Sequence, residues 1–263
     1  MEGQFTFLGT GTSMGVPTLG CGCAVCTSSD PHDRRTRPSG LLRWNEAHRD
    51  RVLIIDTGPD FREQALGNHL ARVDAVFYTH SHADHILGLD DLRPLSFAMA
   101  REGTAIPLFA SDETAEVLRR VYDYTFSPNA TYPTRARVCI QPLRDRFELH
   151  GVRFVRIPVL HGEMEISGFR FGSTAYMTDV SEIPESSFAL LEGLDTLIVS
   201  ALRRKPHPSH ATLSQAIEWA RRVGARQTWF THIAHDLGHE ETNKALPAGM
   251  ALAHDGLSFP VSL

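Results

Sequence analysis

The stretch "YTHSHADHILGL", residues 78–89, sets His80, His82, Asp84 and His85 within six positions, directly after an apolar run of strand length. The alternation of His80 and His82 lets a short extended or looped segment aim two imidazoles at one point. Asp84 and His85 stand one step further on and reach a neighbouring point, so the segment suits two ions a few ångströms apart. Imidazole and carboxylate donors together suit zinc, manganese or iron, and a pair of such ions clamps a phosphoryl group while activating water. The bland alternative is a solvated histidine-rich loop; four candidate donors at the end of a buried strand weigh against it.

A second group of donors lies near the amino terminus. "GCGCAVC" holds Cys21, Cys23 and Cys26, three of the four cysteines, and leaves Cys139 alone. An ordinary framework of paired disulfides does not fit this spacing, whereas close thiols separated by glycine suit a soft metal ion.

The elements that must position these groups are legible in outline. The chain has 263 residues with 42% hydrophobic content, enough for one large core, and a single domain spanning 1–263 is expected. A formal charge of -5 and a pI near 6.3 give no excess of cations for a phosphate backbone, so bulk binding of nucleic acid or of a membrane surface is disfavoured. "MEGQFTFLGTGTS" has no cationic stretch followed by a long apolar run, and nowhere do eighteen uncharged apolar residues occur together. A soluble cytoplasmic protein is the expectation.

Apolar runs alternate with helical patterns. "FTFLG" (5–9), "RVLIID" (51–56), "DAVFYT" (74–79) and "IPLFA" (106–110) read as strands, and "DFREQALGNHL" (60–70) and "DETAEVLRRVYDYTF" (112–126) as helices, the second capped at Ser111 or Asp112. In the later half, strands flank turns at His150-Gly151 and Gly172-Ser173, "DTLIVSAL" and "RQTWFTH" are further strands, and "SHATLSQAIEWARRVG" (209–224) is a helix ending at Gly224. Such alternation implies stacked sheet and helix layers. A weak internal symmetry accompanies it: strands end at Asp56 and "YTH" (Thr79, His80) in one half, and at Asp179 and "FTH" (Thr231, His232) in the other. Two similar halves would bring these polar ends to one shared edge, where α/β proteins bind ligands.

The H-x-H-x-D-H pattern, preceded by "DAVFYT" and "LIIDTGPD", resembles the metallo-β-lactamase fold superfamily of binuclear hydrolases. The resemblance implies an α/β fold, a four-layer αββα sandwich. It also implies further ligands, matched here by His161 in "VLHG", Asp179 in "YMTD" and His232 in "WFTH". One ion would then be held by His80, His82 and His161, the other by Asp84, His85 and His232, with Asp179 shared between them. Asp56 would hold the ligand loop by hydrogen bonds. Taken singly, His161 reads as a turn residue, Asp179 as a helix cap and His232 as a strand-end histidine; their order and spacing together favour the ligand set.

Two features narrow the resemblance. "FLGTGTSMGVPTLGCGCAVC" is similar to the family of the phosphodiesterase of the carbon–phosphorus lyase pathway, in which three such cysteines and one histidine bind a structural zinc; the fourth ligand carries over to His235 in "THIAHDLGH". Four such ligands close a tetrahedral site with no place for substrate. In "HPSHATLSQAIEWARR" the same resemblance makes His210, with His207 as its nearby competitor, the residue that acts on the leaving group from the opening of a helix. His210 and Asp84 are therefore the candidate catalytic residues.

The expected cofactors are two catalytic divalent ions, manganese or zinc, and one structural zinc. The expected reaction is hydrolysis of a small cyclic phosphodiester, such as a ribose 1,2-cyclic phosphate or a 2′,3′-cyclic nucleotide. Water bridging the two ions would ionise near a pKa of about 7 and attack phosphorus in line. A small phosphodiester is the expected partner, with no stable nucleic acid, no membrane and a possible homodimer. Two other readings share these residues. A tRNA 3′-processing nuclease shares "FLGTGT" but normally carries a basic arm, which is not found here; the short basic segment "DPHDRRTRP" reads as a solvated loop whose arginines could orient a phosphate. A hydrolase of thioesters or lactones, or a non-hydrolytic cofactor-biosynthesis protein of the pyrroloquinoline-quinone type, uses the same fold, although the filled ligand positions favour chemistry.

Overall fold

The apolar runs assemble into two seven-stranded sheets. The computed structural model describes residues 1–101, 103–128 and 132–263. The first sheet contains β1 (Glu2–Gly9), β2 (Ser39–Glu46), β3 (Arg49–Ile55), β4 (Ala75–Phe77), β5 (Ile106–Ala110) and β6 (Val138–Pro142). The second contains β7 (Arg146–Leu149), β8 (Val152–His161), β9 (Met164–Phe171), β10 (Thr174–Met177), β11 (Thr196–Ser200), β12 (Gln227–Thr231) and β13 (Met250–Leu252), after which β14 (Ser258–Ser262) returns to the edge of β1. Order runs β14-β1-β2-β3-β4-β5-β6 in one sheet and β13-β12-β11-β10-β9-β8-β7 in the other. Strands β14 to β3 pair antiparallel and β3 to β6 parallel. The second sheet repeats the plan, antiparallel from β7 to β10 and parallel from β10 to β13.

Side-chain alternation explains the layers. Leu53, Ile55, Ala75 and Phe77 point between the sheets, where they meet Phe154, Phe169, Tyr176 and Ile198. Their neighbours Val52, Ile54 and Val76 face outward onto Phe61, Leu92 and Leu118 of covering helices. On the far side Met177 and Val199 meet Leu213, Ala216 and Ala220. Central strands buried on both faces must be apolar throughout, which is why they read as continuous runs. Three interlayer cores make the four-layer αββα sandwich expected from the sequence.

Details depart from the sequence reading for physical reasons. The plan repeats, but His80 and His232 are not equivalents: counted from the antiparallel edge of each sheet (β14 and β7), Asp56 and Asp179 each follow the fourth strand, whereas His80 follows β4, the fifth, and His232 follows β12, the sixth. The helix placed at 209–224 spans Leu213–Val223, because Thr212 and Gln215 form a reciprocal cap that starts it later, and Gly224 ends it at φ 70. His210 therefore precedes the helix rather than opening it. The helical run 112–126 is capped by Ser111 but breaks at Tyr122, whose hydroxyl donates to the Ile86 carbonyl at 3.0 Å.

The two ends of the fold are tied beneath this edge by one carboxylate. Asp255 accepts from the backbone N–H and hydroxyl of Thr10 at 2.9 and 2.7 Å, and from those of Thr36 at 2.7 Å each. An Asp255→Asn amide keeps the shape but sets its NH2 against one backbone N–H, a donor–donor clash, and forces the neighbouring threonine hydroxyl to turn and accept, so we expect a loss of about 2–3 kcal/mol. Urea unfolding of the variant, with its midpoint lowered and its slope unchanged, is the check.

Candidate metal centre

Each ligand loop is held by the strand end it leaves. Asp56 sits in left-handed backbone at φ 62, and its carboxylate accepts from the Thr79 N–H, the Thr79 hydroxyl and Nδ1 of His85, all at 2.8 Å. It thus clamps the segment that carries His80 to His85, the task the sequence assigned it. The turn that follows lies close against this segment: a Cβ on Gly58 would stand 2.1 Å from the Asp84 carbonyl, so only glycine fits. Asp179 at φ 59 and His232 at φ 54 turn off their strands in the same way.

These turns bring the donor atoms into two groups, His80, His82 and His161, and Asp84, His85, Asp179 and His232, with the atoms of each group all within 4.8 Å of one another. Hydrogen bonds leave the distal nitrogens of the ligand imidazoles unused. Nδ1 of His161 donates to the carbonyls of Asp179 (2.8 Å) and Ser209 (2.7 Å), and Nδ1 of His80 meets the Thr79 hydroxyl at 3.0 Å. A carbonyl only accepts, so His161 carries its proton on Nδ1 and presents the Nε2 lone pair. Among the described residues, Nε2 of His80, His85 and His232 is buried without a hydrogen-bond partner, as is Nδ1 of His232. Nε2 of His85 lies 3.3 Å from both Asp84 and Asp179, and Nε2 of His232 lies 3.0 Å from Asp179, yet none of these approaches has hydrogen-bond geometry. Donors aimed past one another at a shared centre fit divalent cations, and the imidazole and carboxylate set suits zinc or manganese.

Charge follows the same logic. Burial alone would raise the carboxyl groups of Asp84 and Asp179, but His85 holds the first and His232 the second below the usual carboxylate range. Burial would likewise lower the two histidines; Asp179 outweighs it in both, raising His85 well above its ordinary value and His232 to about 9. His80 and His82, which face chiefly other imidazoles, are lowered by burial.

His210 stands against this cluster. Its ring centroid is 4.6 Å from that of His161 and 4.8 Å from that of His232, and its buried Nδ1 has no hydrogen-bond partner, at 3.9 Å from Asp179. Burial, reinforced by His232, pushes it down to about 3. His207 lies 4.9 Å beyond it.

The thiol cluster gathers as its spacing implied. Sγ of Cys21, Cys23 and Cys26 stand 3.2, 3.6 and 3.3 Å from Nδ1 of His235. The S···N edge of a zinc tetrahedron is about 3.6 Å, so small adjustments would close one. Of the arginines of the nearby basic segment, Arg34 is exposed and the other two are engaged within the fold. Arg35 is fully buried, donating to Asp33 and to the carbonyls of Ala234 and Leu237, and Arg37 pairs with Asp60 at 3.1 Å. Arg35 braces the turn that carries His235, so the segment is only in part the solvated loop read from the sequence.

Sequence reasoning named Thr79 only as a strand-end residue and passed over Thr178 and Ser209. A threonine precedes Asp179 as it does His80 and His232, and Thr178 donates to Asp179 at 2.7 Å. Ser209 acts through its backbone, which leaves no sequence signal.

The β-lactamase superfamily domain matches residues 51–233. A solved structure described as a new diphosphatase from the PhnP family superposes with a TM-score of 0.92 at 52% identity, covering 99% of this chain and 98% of that one. A Porphyromonas gingivalis protein named octanoyltransferase is 35% identical over 254 residues, 95% of this chain and 50% of its own length. The chain spans about half the length of the first curated relatives it matches. The short form of human tRNase Z shares the fold, with a TM-score of 0.69 at 19% identity, over 97% of this chain and 98% of that one.

In the metal-free protein, the raised His232 contributes stability that is fully present below pH about 6.5, the ordinary histidine value, and lost as pH rises through about 9; His85, raised in the same direction, adds stability of the same sign. Cations that take the place of these protons must displace them. Loading at pH 7 is therefore expected to release about two protons from this pair, and affinity to rise with pH, measurable by calorimetry in buffers of different ionisation enthalpy. Asp56→Asn is expected to weaken loading about 10–100-fold without preventing folding.

Proposed function

The chain belongs to the β-lactamase superfamily and, within it, to the PhnP family, and on that footing we propose that it is a metal-dependent hydrolase of small phosphoric diesters. The cyclic phosphodiester expected from the sequence, and the diphosphate linkage that a diphosphatase cleaves, share one chemistry. In each, phosphorus carries two oxygen substituents and one must leave. The observation that carries this reading is the place of His210, an imidazole set against both donor groups, each of which has three or more other donors, although its own donor atom also lies within 4.8 Å of those of His161 and Asp179.

Two ions, manganese or zinc, held by His80, His82 and His161 and by Asp84, His85 and His232 with Asp179 between them, would supply Lewis acidity and water made nucleophilic at neutral pH. A third, a structural zinc, would sit among Cys21, Cys23, Cys26 and His235. The chain's own groups do the rest. Asp84 accepts a hydrogen bond from the attacking water and aligns it. His210 faces the departing oxygen and delivers its proton; an anionic phosphoryl group beside the ring favours the imidazolium that this step requires. Anionic substrate is also suited to the loop after β11. Residues 196–217 contain no Asp or Glu, while Arg203, Arg204 and Lys205 stand there in a chain of net charge -5.

A panel of a 2′,3′-cyclic nucleotide, a diphosphate diester, an aryl phosphodiester, a thioester and a precursor tRNA, assayed with metal-loaded protein, tests the reading. Small diesters should turn over, and the thioester should not. His210→Ala should lower kcat on the cyclic substrate about 10²–10⁴-fold with metal content unchanged, and less on the aryl ester, whose weakly basic leaving group needs little acid help. Preferred turnover of the thioester or the tRNA would overturn the proposal, and loss of metal in the variant would mark His210 as a ligand.

A further inference from the structure

The histidines at this edge do not all present the same face. His161 donates from Nδ1 to a backbone carbonyl and offers a lone pair at Nε2. His207 is wired the other way. The N–H of Ser209 donates to its Nδ1 at 3.3 Å, and the Ser209 hydroxyl lies 3.3 Å from the same atom. A backbone N–H only donates, so Nδ1 of His207 is the acceptor and the neutral ring carries its proton on Nε2. One residue, Ser209, thereby sets opposite tautomers in two imidazoles: its carbonyl turns His161 toward cations, and its amide turns His207 into a hydrogen-bond donor.

Placement gives that donor an object. His232, His210 and His207 follow one another with ring centroids 4.8 and 4.9 Å apart, leading outward from the buried ligand cluster. His232 is buried and His207 only half-buried, so the series ends at solvent. Ser209 fixes the loop on the ligand side through His161, and Gly162 packs beneath it, where a Cβ would meet the Ser209 side chain at 3.4 Å. His207 is thus held by the same support as a metal ligand, while its distal nitrogen is of the wrong tautomer to ligate. An N–H fixed beside the proposed proton donor, in a loop without carboxylates, suits an oxyanion.

We infer that His207 is a substrate-binding residue, a pre-oriented donor at the mouth of the site that holds a phosphoryl oxygen of the substrate while His210 faces the leaving oxygen. This rests on the phosphodiester reading above. The donor is in place before substrate arrives, so its contribution falls on binding and therefore on KM more than on kcat.

Metal-loaded wild type, His207→Ala, His207→Asn and His207→Gln separate the possibilities, because a glutamine amide nitrogen reaches the position of Nε2 and an asparagine amide that of Nδ1. KM for the phosphodiester and Kd for inorganic phosphate, the latter by calorimetry, should both rise about tenfold or more in the Ala and Asn variants. In His207→Gln both should return to within about threefold of wild type, with kcat changing far less than KM and metal content unchanged throughout. Wild-type KM and phosphate affinity in His207→Ala, a Gln variant no better than Asn, or loss of metal would each overturn the inference. Failure of the wild type to cleave any phosphodiester would instead overturn the proposed function, and the phosphate titration would still decide the role of His207.

Discussion

Carboxylates and imidazole nitrogens crowded within 4.8 Å of one another and shut away from water are the constraint on which the rest of this structure depends. Asp84, His85, Asp179 and His232 are all buried, and each would be costly there alone. Their mutual arrangement relieves the cost only if positive charge lies between the carboxylates. The carboxylates raise His85 and His232 above their ordinary values, which favours such charge on the imidazoles; divalent ions at the same place would supply more of it and leave those nitrogens as ligands. The backbone accepts strain to reach this state. Asp56, Asp179 and His232, each in left-handed conformation, cost about 1–3 kcal/mol apiece, and the packed sheets that carry them hold them there.

Much of the remaining structure fixes this edge. The glycines at the end of β1 and just beyond it serve close backbone approach: a Cβ on Gly9 would stand 1.9 Å from the Arg37 carbonyl and one on Gly11 2.7 Å from that of Arg35. Ile233, next to His232, donates its N–H to the Thr10 carbonyl at 2.8 Å, so the first loop of the chain buttresses one of the last ligands. The thiol cluster with His235, and the buried Arg35 that braces the same turn, extend that support outward. Amino-terminal and carboxyl-terminal segments are thereby joined beside the reactive edge, which places an ordering element close to the chemistry without giving it a chemical step.

Legibility in the sequence varied with how local the signal was. His80 to His85 stood out because four donors within one turn of chain have few other uses. His161 and Asp179 were ambiguous alone and gained meaning only from resemblance, since nothing local shows which distant strand ends will meet. The layered fold was readable from apolar runs, yet β2, "SGLLRWNE", and the short β13 and β14 escaped notice, because polar or brief segments acquire strand character from their neighbours. The structure sets His210 against the cluster but ahead of the helix rather than at its opening, since the cap at Thr212 took the helix start. Tautomer control by the Ser209 backbone had no sequence signature at all.

Anomalous-scattering crystallography on protein reconstituted with manganese and zinc, with data at both absorption edges, tests the central claim most directly. The account predicts two peaks a few ångströms apart, one among His80, His82 and His161 and one among Asp84, His85 and His232, with Asp179 between them, and a separate zinc peak at Cys21, Cys23, Cys26 and His235. A fully reconstituted crystal with no peak at the histidine–aspartate cluster, and its buried nitrogens hydrogen-bonded to one another or to water instead, would contradict it.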